Sequence, residues 1–432
     1  MTDKENLNRK PYPKYKPSGA KWLGDVPEHW EVKKSKFIAN KIIDGTHVTP
    51  TYIKDGIPFL RVTDIQSKEI NFDELKFIPQ EEHIELTKRC KPVKNDILLS
   101  KNGTIGITKV VNWDWEFSIF VSLCLIKLKL KLIDPFYFCY EFSSSAVVQQ
   151  IVEGSKQTSV INLHLDKIKE LLVILPPLSE QRTIAAFLDR ETGRIDELIG
   201  KKKKLVELLK EKRMALISRA VTKGLNPNVK MKESGVDGST SLTASWLGEV
   251  PEHWGVKRLR YVVSMKSGEG ITSEEIDDNG VYPVYGGNGL RGYFSDYTHE
   301  GHYVLIGRQG ALCGNINYGK GKFWASEHAV VANPNNPIST IWLGELLRIM
   351  NLNQYSVSAA QPGLAIDKIK ELPIPLPPLP EQQAIAAFLD HETAKIDTLV
   401  SKVETVIEKL KEYRTALISA AVTGKIDVRE AV

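Results

Sequence analysis

The chain has few cysteines, no long apolar run and no catalytic signature. Its four cysteines, Cys90, Cys124, Cys139 and Cys313, are scattered over 432 residues without a CxxC pair. That argues against a zinc site and for the reduced, mostly buried thiols of a cytoplasmic protein. No segment approaches the roughly 18 consecutive apolar residues that span a bilayer. The opening MTDKENLNRKPYPKYKPSG also lacks the apolar core of a signal peptide. A soluble chain with no membrane partner is expected. Excess charge is small, with 58 Lys and Arg against 53 Asp and Glu. A net charge of +5 tolerates a polyanionic partner without demanding one. HExxH, GxSxG, paired metal-ligand clusters and an Asn-Pro-Pro-aromatic loop are all missing. No chemistry and no metal or cofactor are therefore expected of this chain. GGNGLRG carries Gly287, Gly289 and Gly292 in GxGxxG spacing but lacks a convincing strand before it and helix after it. GNINYGKG imitates a phosphate loop but has Gly321 where Ser or Thr would hold magnesium. Both read as turns.

What the chain does contain is said twice. Residues 22–30, WLGDVPEHW, return as WLGEVPEHW at 246–254, 224 positions later. IKELLVILPPLSEQRTIAAFLDRETGRIDEL (168–198) returns as IKELPIPLPPLPEQQAIAAFLDHETAKIDTL (369–399), offset by 201. ALISRAVT and ALISAAVT extend the second match. The 23-residue difference in offset lies between the two elements, where 35–167 and 259–368 show little that aligns. Each copy is thus a short frame, a variable insert and a long frame. Near-identical frames suit contact with two copies of one object, or with each other. Divergent inserts suit recognition of two different objects.

In the long frame, LPPL is extended because proline restricts its own φ and the residue before it. Glu180-Gln181 and Glu381-Gln382 then open helices, a carboxylate at each positive end. Leu389, Ile396, Val403, Leu410 and Leu417 recur every seven residues, with Leu399, Val406 and Tyr413 three after the middle members. That spacing predicts a coiled-coil seam, the first series at a and the second at d. The first copy keeps the register with Leu188, Ile195, Leu209 and Leu216 at a and Leu198 and Leu205 at d. Lys202 at a and Lys212 at d are its exceptions. From Leu188 to Leu216 such a helix runs about 43 Å. Two equal seams most simply pair with each other; antiparallel pairing is preferred, though the linker length does not decide it. Lys201–Lys204 read as a solvated face, because the second copy has KVET there.

The inserts hold short β-rich segments separated by polar, basic turns. In the first, Thr46, His47, Arg61 and Thr63 fall at strand ends or loops, Lys101, Asn102 and Thr104 at a turn tip, and Lys156 and Gln157 in another polar loop. In the second, Tyr285, Asn288, Arg291, Arg308, Gln309, Lys320, Lys322 and His328 occupy comparable places. Arg pairs bidentately with guanine, and Asn or Gln with adenine, so these are candidate DNA contacts.

The doubled WLGxVPxHW, DGTH followed by GIPFLRVTDI, NDILLSKNGTIG and the doubled PLPPLxEQxxIAAFLD before a long helix resemble the specificity subunit of type I restriction–modification enzymes. The resemblance runs from about residue 18 to 424. It implies an α/β (α+β) chain with two target recognition domains of mixed, β-rich core, separated by two long helices paired as an antiparallel coiled coil. The implied boundaries are a tail at 1–17, a first domain at 18–175 and its helix at 176–223. A linker at 224–244, a second domain at 245–376, its helix at 377–424 and a tail at 425–432 follow. Each domain would read one half of a split, asymmetric site in double-stranded DNA, the helices setting the gap. The implied partners are two modification subunits with S-adenosylmethionine and two restriction subunits with ATP and Mg2+. This chain would bind no cofactor itself. Three rival readings are a scaffold whose inserts bind proteins, a specificity subunit in a methyltransferase-only system, and a stand-alone enzyme.

Overall fold

The structure is a computed structural model. It describes residues 10–20, 22–67, 69–154, 163–234, 246–310, 313–356 and 363–430. Two compact units emerge, Met1–Lys202 with Thr405–Val432, and Lys203–Glu404. The division falls inside the long helices rather than at the linker. These helices span Leu178–Lys223 and Leu379–Val422, about 69 and 66 Å at 1.5 Å per residue.

Each unit holds the first half of one helix and the last half of the other, and the two halves run antiparallel. In the second unit Arg213 pairs with Asp397 at 2.9 Å and Lys210 with Glu404 at 3.7 Å, one number rising as the other falls. In the first, Arg414 pairs with Asp196 at 2.9 Å. This is the same pair of repeat positions met in the opposite order.

The heptad is real but its phase differs from the expected one. Leu188, Ile195, Leu389, Ile396, Val403 and Leu417 are buried, and Leu209, Leu216 and Leu410 half-buried. Leu198, Leu205, Leu399, Val406 and Tyr413, expected at d, are instead exposed. The second buried column lies four residues on, at Thr192, Ile199, Val206 and Ala220 and at Ile407 and Ala421. The expected a row is therefore the d row. The sequence carries apolar doublets (Leu198-Ile199, Leu205-Val206, Leu399-Val400, Val406-Ile407), and the second member of each turns inward. Lys212, apparently a flaw in the seam, is simply outside it. Lys201 and Lys204 pair with Glu197 and Glu207 on the solvated face.

The repeated frames of each copy meet in space. Glu31–Lys34 pairs antiparallel with Leu172–Leu175, and Gly255–Arg258 with Pro373–Leu376. Each insert is thus an excursion from a closed two-strand base. Trp30 and Trp254, essentially fully buried, donate their indole N–H to Glu180 (3.2 Å) and Glu381 (2.7 Å). His29 and His253 reach the same carboxylates at 2.9 and 3.0 Å. Gln181 accepts from the Asp134 N–H and donates to the Pro176 carbonyl; Gln382 does the same with Ser339 and Pro377. The amide thereby ties the extended proline pair to the start of the domain's own helix, Pro135–Phe142 or Thr340–Ile349. Trp22 and Trp246 are only half-buried.

Each long helix ends on a glycine against the partner tryptophan. Gly224 and Gly424 have φ of +75° and +74°, and a Cβ there would meet Trp254 at 3.1 Å and Trp30 at 3.0 Å. The helix terminus therefore needs glycine for both handedness and space. The strands that follow correct the expected linker and tail. Met231–Glu233 pairs with Glu249–Pro251, and Tyr15–Pro17 with Asp25–Pro27. In the first unit the two chain ends together do what 224–233 does unbroken in the second: the Asp427 N–H donates to the Lys10 carbonyl at 2.9 Å. The rest of the linker, 235–244, lies outside the described residues.

The first domain carries a four-stranded sheet (39–44, 123–128, 97–100, 108–110) and a three-stranded one (76–78, 57–60, 118–119). The second carries one six-stranded sheet, ordered 263–267, 329–334, 299–307, 316–325, 282–286, 289–294. The difference has a local cause. Strand Ile316–Ala325 runs unbroken, whereas NWDWEF (112–117) interrupts its counterpart and stacks Trp113 on Trp115 at 5.0 Å. GGNG is a hairpin turn as expected. GNINYGKG is not a turn but lies largely in strand 316–325.

One core group carries a pH signature. Glu141 is 1% exposed; one oxygen accepts from the Ile174 N–H, and the other has no partner among the described residues. Burial pushes its pKa well above 4.5, so the folded state holds a proton that the unfolded state releases. That contribution is complete below about pH 4.5 and declines as pH rises toward the raised folded value. Glu141→Gln should therefore gain stability relative to the parent between pH 5 and pH 8. Melting curves at the two pH values check this; a constant difference would contradict it.

Candidate nucleic-acid interface

The inserts show no alignable sequence, yet their backbones follow one hydrogen-bond pattern. Gly45 donates to the Leu123 carbonyl and Gly268 to Ala329; Lys101 to Ser122 and Arg308 to His328; Phe120 to Leu60 and Ser326 to Tyr285. Leu163 and Leu364 close the pattern by donating to the carbonyls of Lys101 and Arg308, each at 2.9 Å. A Cβ on Gly45 or Gly268 would lie 2.1 or 2.0 Å from a carbonyl oxygen, so both strands must cross there on glycine. The equivalences follow: Asp44 with Ser267, Thr46 with Glu269, Lys101 with Arg308 and Asn102 with Gln309.

In the first domain this end is built around Asp44, which is 5% exposed. Lys101 and Arg89 each reach it at 2.8 Å and His47 at 3.2 Å. Burial raises the Asp44 pKa, but the three basic neighbours outweigh burial and hold it below the ordinary value. Lys101, expected at an exposed turn tip, is 6% exposed. Asn102 is half-buried, and its amide oxygen has no partner among the described residues. Thr46 is half-buried and bonds the Val48 carbonyl, and Thr104 is exposed. Arg61 and Thr63 are occupied elsewhere, in a short 3-10 turn where both bond Asp64. Lys156 and Gln157 lie outside the described residues. Arg89 was missed because a helix C-terminus gives no sequence sign of its target.

In the second domain Ser267, Asn288, Arg308, Gln309 and His328 come together. The Arg308 Nη1 donates to the Ser267 hydroxyl at 3.1 Å, and His328 lies 3.0 Å from Glu327. Gly287 packs against the carbonyls of His328 and Gln309, bringing the exposed Asn288 to this end, where Asn315 bonds it. Tyr285 leans edge-on against Phe323, and the stem of exposed Arg291 lies against Gly286. Lys320 and Lys322 belong elsewhere. They pair in register with His302 and Glu300, about 20 and 26 Å down the strand from Arg308 at 3.3 Å per residue. Lys322 sits 4.4 Å over the Tyr297 ring.

Among the described residues no group of His, Cys, Asp and Glu could hold a metal, and no helix is long and apolar enough to cross a membrane. His83 bonds Ser118 at 3.0 Å and lies 3.8 Å from Glu116. The grouping resembles an activated nucleophile, but Ser118 is 1% exposed and closed to substrate.

Comparison with known proteins agrees with this architecture. A specificity subunit of the EcoprrI type I restriction enzyme of Escherichia coli is 44% identical over 154 residues, covering 35% of this chain and 37% of that one. The putative MjaX specificity subunit of Methanocaldococcus jannaschii is 25% identical over 436 residues, covering 94% and 96%. A chain from a solved type I R-M system assembly matches with TM-score 0.69 at 17% identity, over 92% of this chain and 98% of that one. The HsdS subunit of Thermoanaerobacter tengcongensis matches with TM-score 0.51 at 16% identity, over the same shares. The family pattern of the type I restriction modification DNA specificity domain matches twice, over residues 27–208 and 251–409. The chain belongs to that family and carries its domain in two copies.

Proposed function

We propose that this chain is the non-catalytic DNA-specificity subunit of a type I restriction–modification complex. Each domain reads one half of a bipartite, asymmetric site, and the helices set the distance between halves. One observation supports this above the rest. The two domains share a backbone pattern and a frame clamp, but present different side chains at equivalent places: Asp44 against Ser267, Lys101 against Arg308, Thr46 against Glu269. A scaffold needs no such matched pair of variable ends.

Two modification subunits dock on the long helices. Positions flanking a coiled-coil seam are ordinarily charged. Here Leu198 and Val406 stand exposed in the first unit, and their repeat equivalents Leu399 and Leu205 in the second. A stripe in each unit fits one copy of the same partner on each. S-adenosylmethionine, and in a restricting complex ATP and Mg2+, belong to the partners, in the cytoplasm. Assembled with modification subunits, the chain should direct methylation to one sequence. Leu198→Ser with Val406→Ser should leave its melting temperature unchanged, since both side chains are exposed, yet reduce co-purification of the modification subunit and the methylation it directs. Undiminished docking would contradict the assignment.

A further inference from the structure

The equivalence of Lys101 and Arg308 separates two roles that the sequence merges. Both residues follow a buried strand, both donate their backbone N–H to the turn opposite, and both are closed off by a leucine N–H. Their side chains part company. Lys101 is buried and paired with the Asp44 carboxylate, which holds it away from solvent. Arg308 is half-exposed and meets only the Ser267 hydroxyl; no carboxylate pairs with it among the described residues. Segments 311–312 and 357–362, outside the described residues, contain no Asp or Glu. The hydroxyl accepts a single bond from a guanidinium that has five N–H donors. Among the described residues the rest of the fork has no side-chain partner, at the end of the domain where Asn288, Gln309 and His328 gather.

We infer that Arg308 reads a guanine, through its O6 and N7, in the half-site of the second domain, while Lys101 is a strut that positions the corresponding loop of the first domain and touches no base. This rests on the specificity-subunit reading and deepens it by naming the base. Ser267 is part of the device. It orients the arginine without neutralising it, where Asp44 would capture it.

The test uses the assembled complex with modification subunits, on duplexes carrying the site it methylates. The half-site of the second domain is the one unaffected when residues 35–167 are exchanged. Replacing its guanines singly by 7-deazaguanine removes N7, and at one position should weaken binding about tenfold. Arg308→Ala, which removes the bonds to both O6 and N7, should lose at least that factor and become indifferent to 7-deazaguanine there. Ser267→Asp should behave like Arg308→Ala, with a melting temperature near the parent's, because the first domain already accommodates a carboxylate at that place. Ser267→Ala, which removes the orienting hydroxyl without adding a charge, should weaken binding less than Ser267→Asp and stay sensitive to 7-deazaguanine at that position. Lys101→Ala should lower the melting temperature but leave the sequence of the first half-site unchanged. The inference is overturned if Arg308→Ala keeps its sensitivity to 7-deazaguanine at every guanine, or if no guanine in that half-site matters. If the parent complex has no bipartite site at all, the specificity-subunit reading itself fails, a result separable from these.

Discussion

Exchanging residues 35–167 for the corresponding insert of another family member should replace one half of the recognised sequence and leave the other half and the spacing unaltered. The joints make this practicable. Ser35 donates its backbone N–H to the Leu171 carbonyl at 2.8 Å, so the insert leaves and re-enters its base at adjacent points. The second insert does the same through Leu259 and Leu372 at 3.0 Å. A donor of different length fits the same base, as the two native inserts already show. The expected effect is large, since specific sites are bound roughly 10³-fold or more above non-specific DNA. Methylation mapped before and after the exchange measures it. Changes in both halves, or in neither, would contradict the assignment of one domain to one half.

Trp30→Ala should be among the most damaging single substitutions in the chain. It empties a site that is 0% exposed, removes a donor from Glu180 and uncovers Gly424 at the end of the second long helix. Core Trp→Ala changes cost about 3–5 kcal/mol. Trp30→Phe keeps most of the volume but loses the N–H and part of the ring, so a smaller loss of about 1–2 kcal/mol is expected. Trp254→Ala should cost somewhat less than Trp30→Ala, because Glu381 is 36% exposed where Glu180 is 6% exposed. Urea unfolding reads these differences, with Phe37→Ala, at a residue 55% exposed, as the control. A Trp30→Ala midpoint no lower than that of Phe37→Ala would remove the clamp from the explanation of the repeated WLGxVPEHW.

The repeats and the long helices with their seam were legible because they rest on period and copy, which survive in one dimension; the direction of pairing was not, and rests on cross-helix pairs such as Arg213–Asp397. The phase of the seam was not, since each decisive step offers two adjacent apolar residues and only packing chooses between them. The clamp was half-legible: the repeat announced that Trp30 and Glu180 matter, but not that they touch across 150 residues. The recognition ends were the least legible. Asp44-Gly45 and Ser267-Gly268 share only the glycine, and their equivalence lies in which carbonyls the backbone reaches. Lys101 looked like a turn-tip cation because its partner, 57 positions earlier, gives no sign of being buried. The second domain's convergent set, Asn288, Arg308, Gln309 and His328, was named residue by residue, but only the fold brings it together and sets Lys320 and Lys322 apart.

The most direct measurement is a methylome of cells carrying this chain with its modification subunit. Two short specific half-sites separated by a fixed gap of unspecified bases, methylated on both strands, are predicted. Deleting one heptad from each long helix, about 10 Å of length, should alter the gap and preserve both halves. A continuous palindromic motif, or methylation without sequence preference, would contradict a chain built as two different readers on one repeated mount.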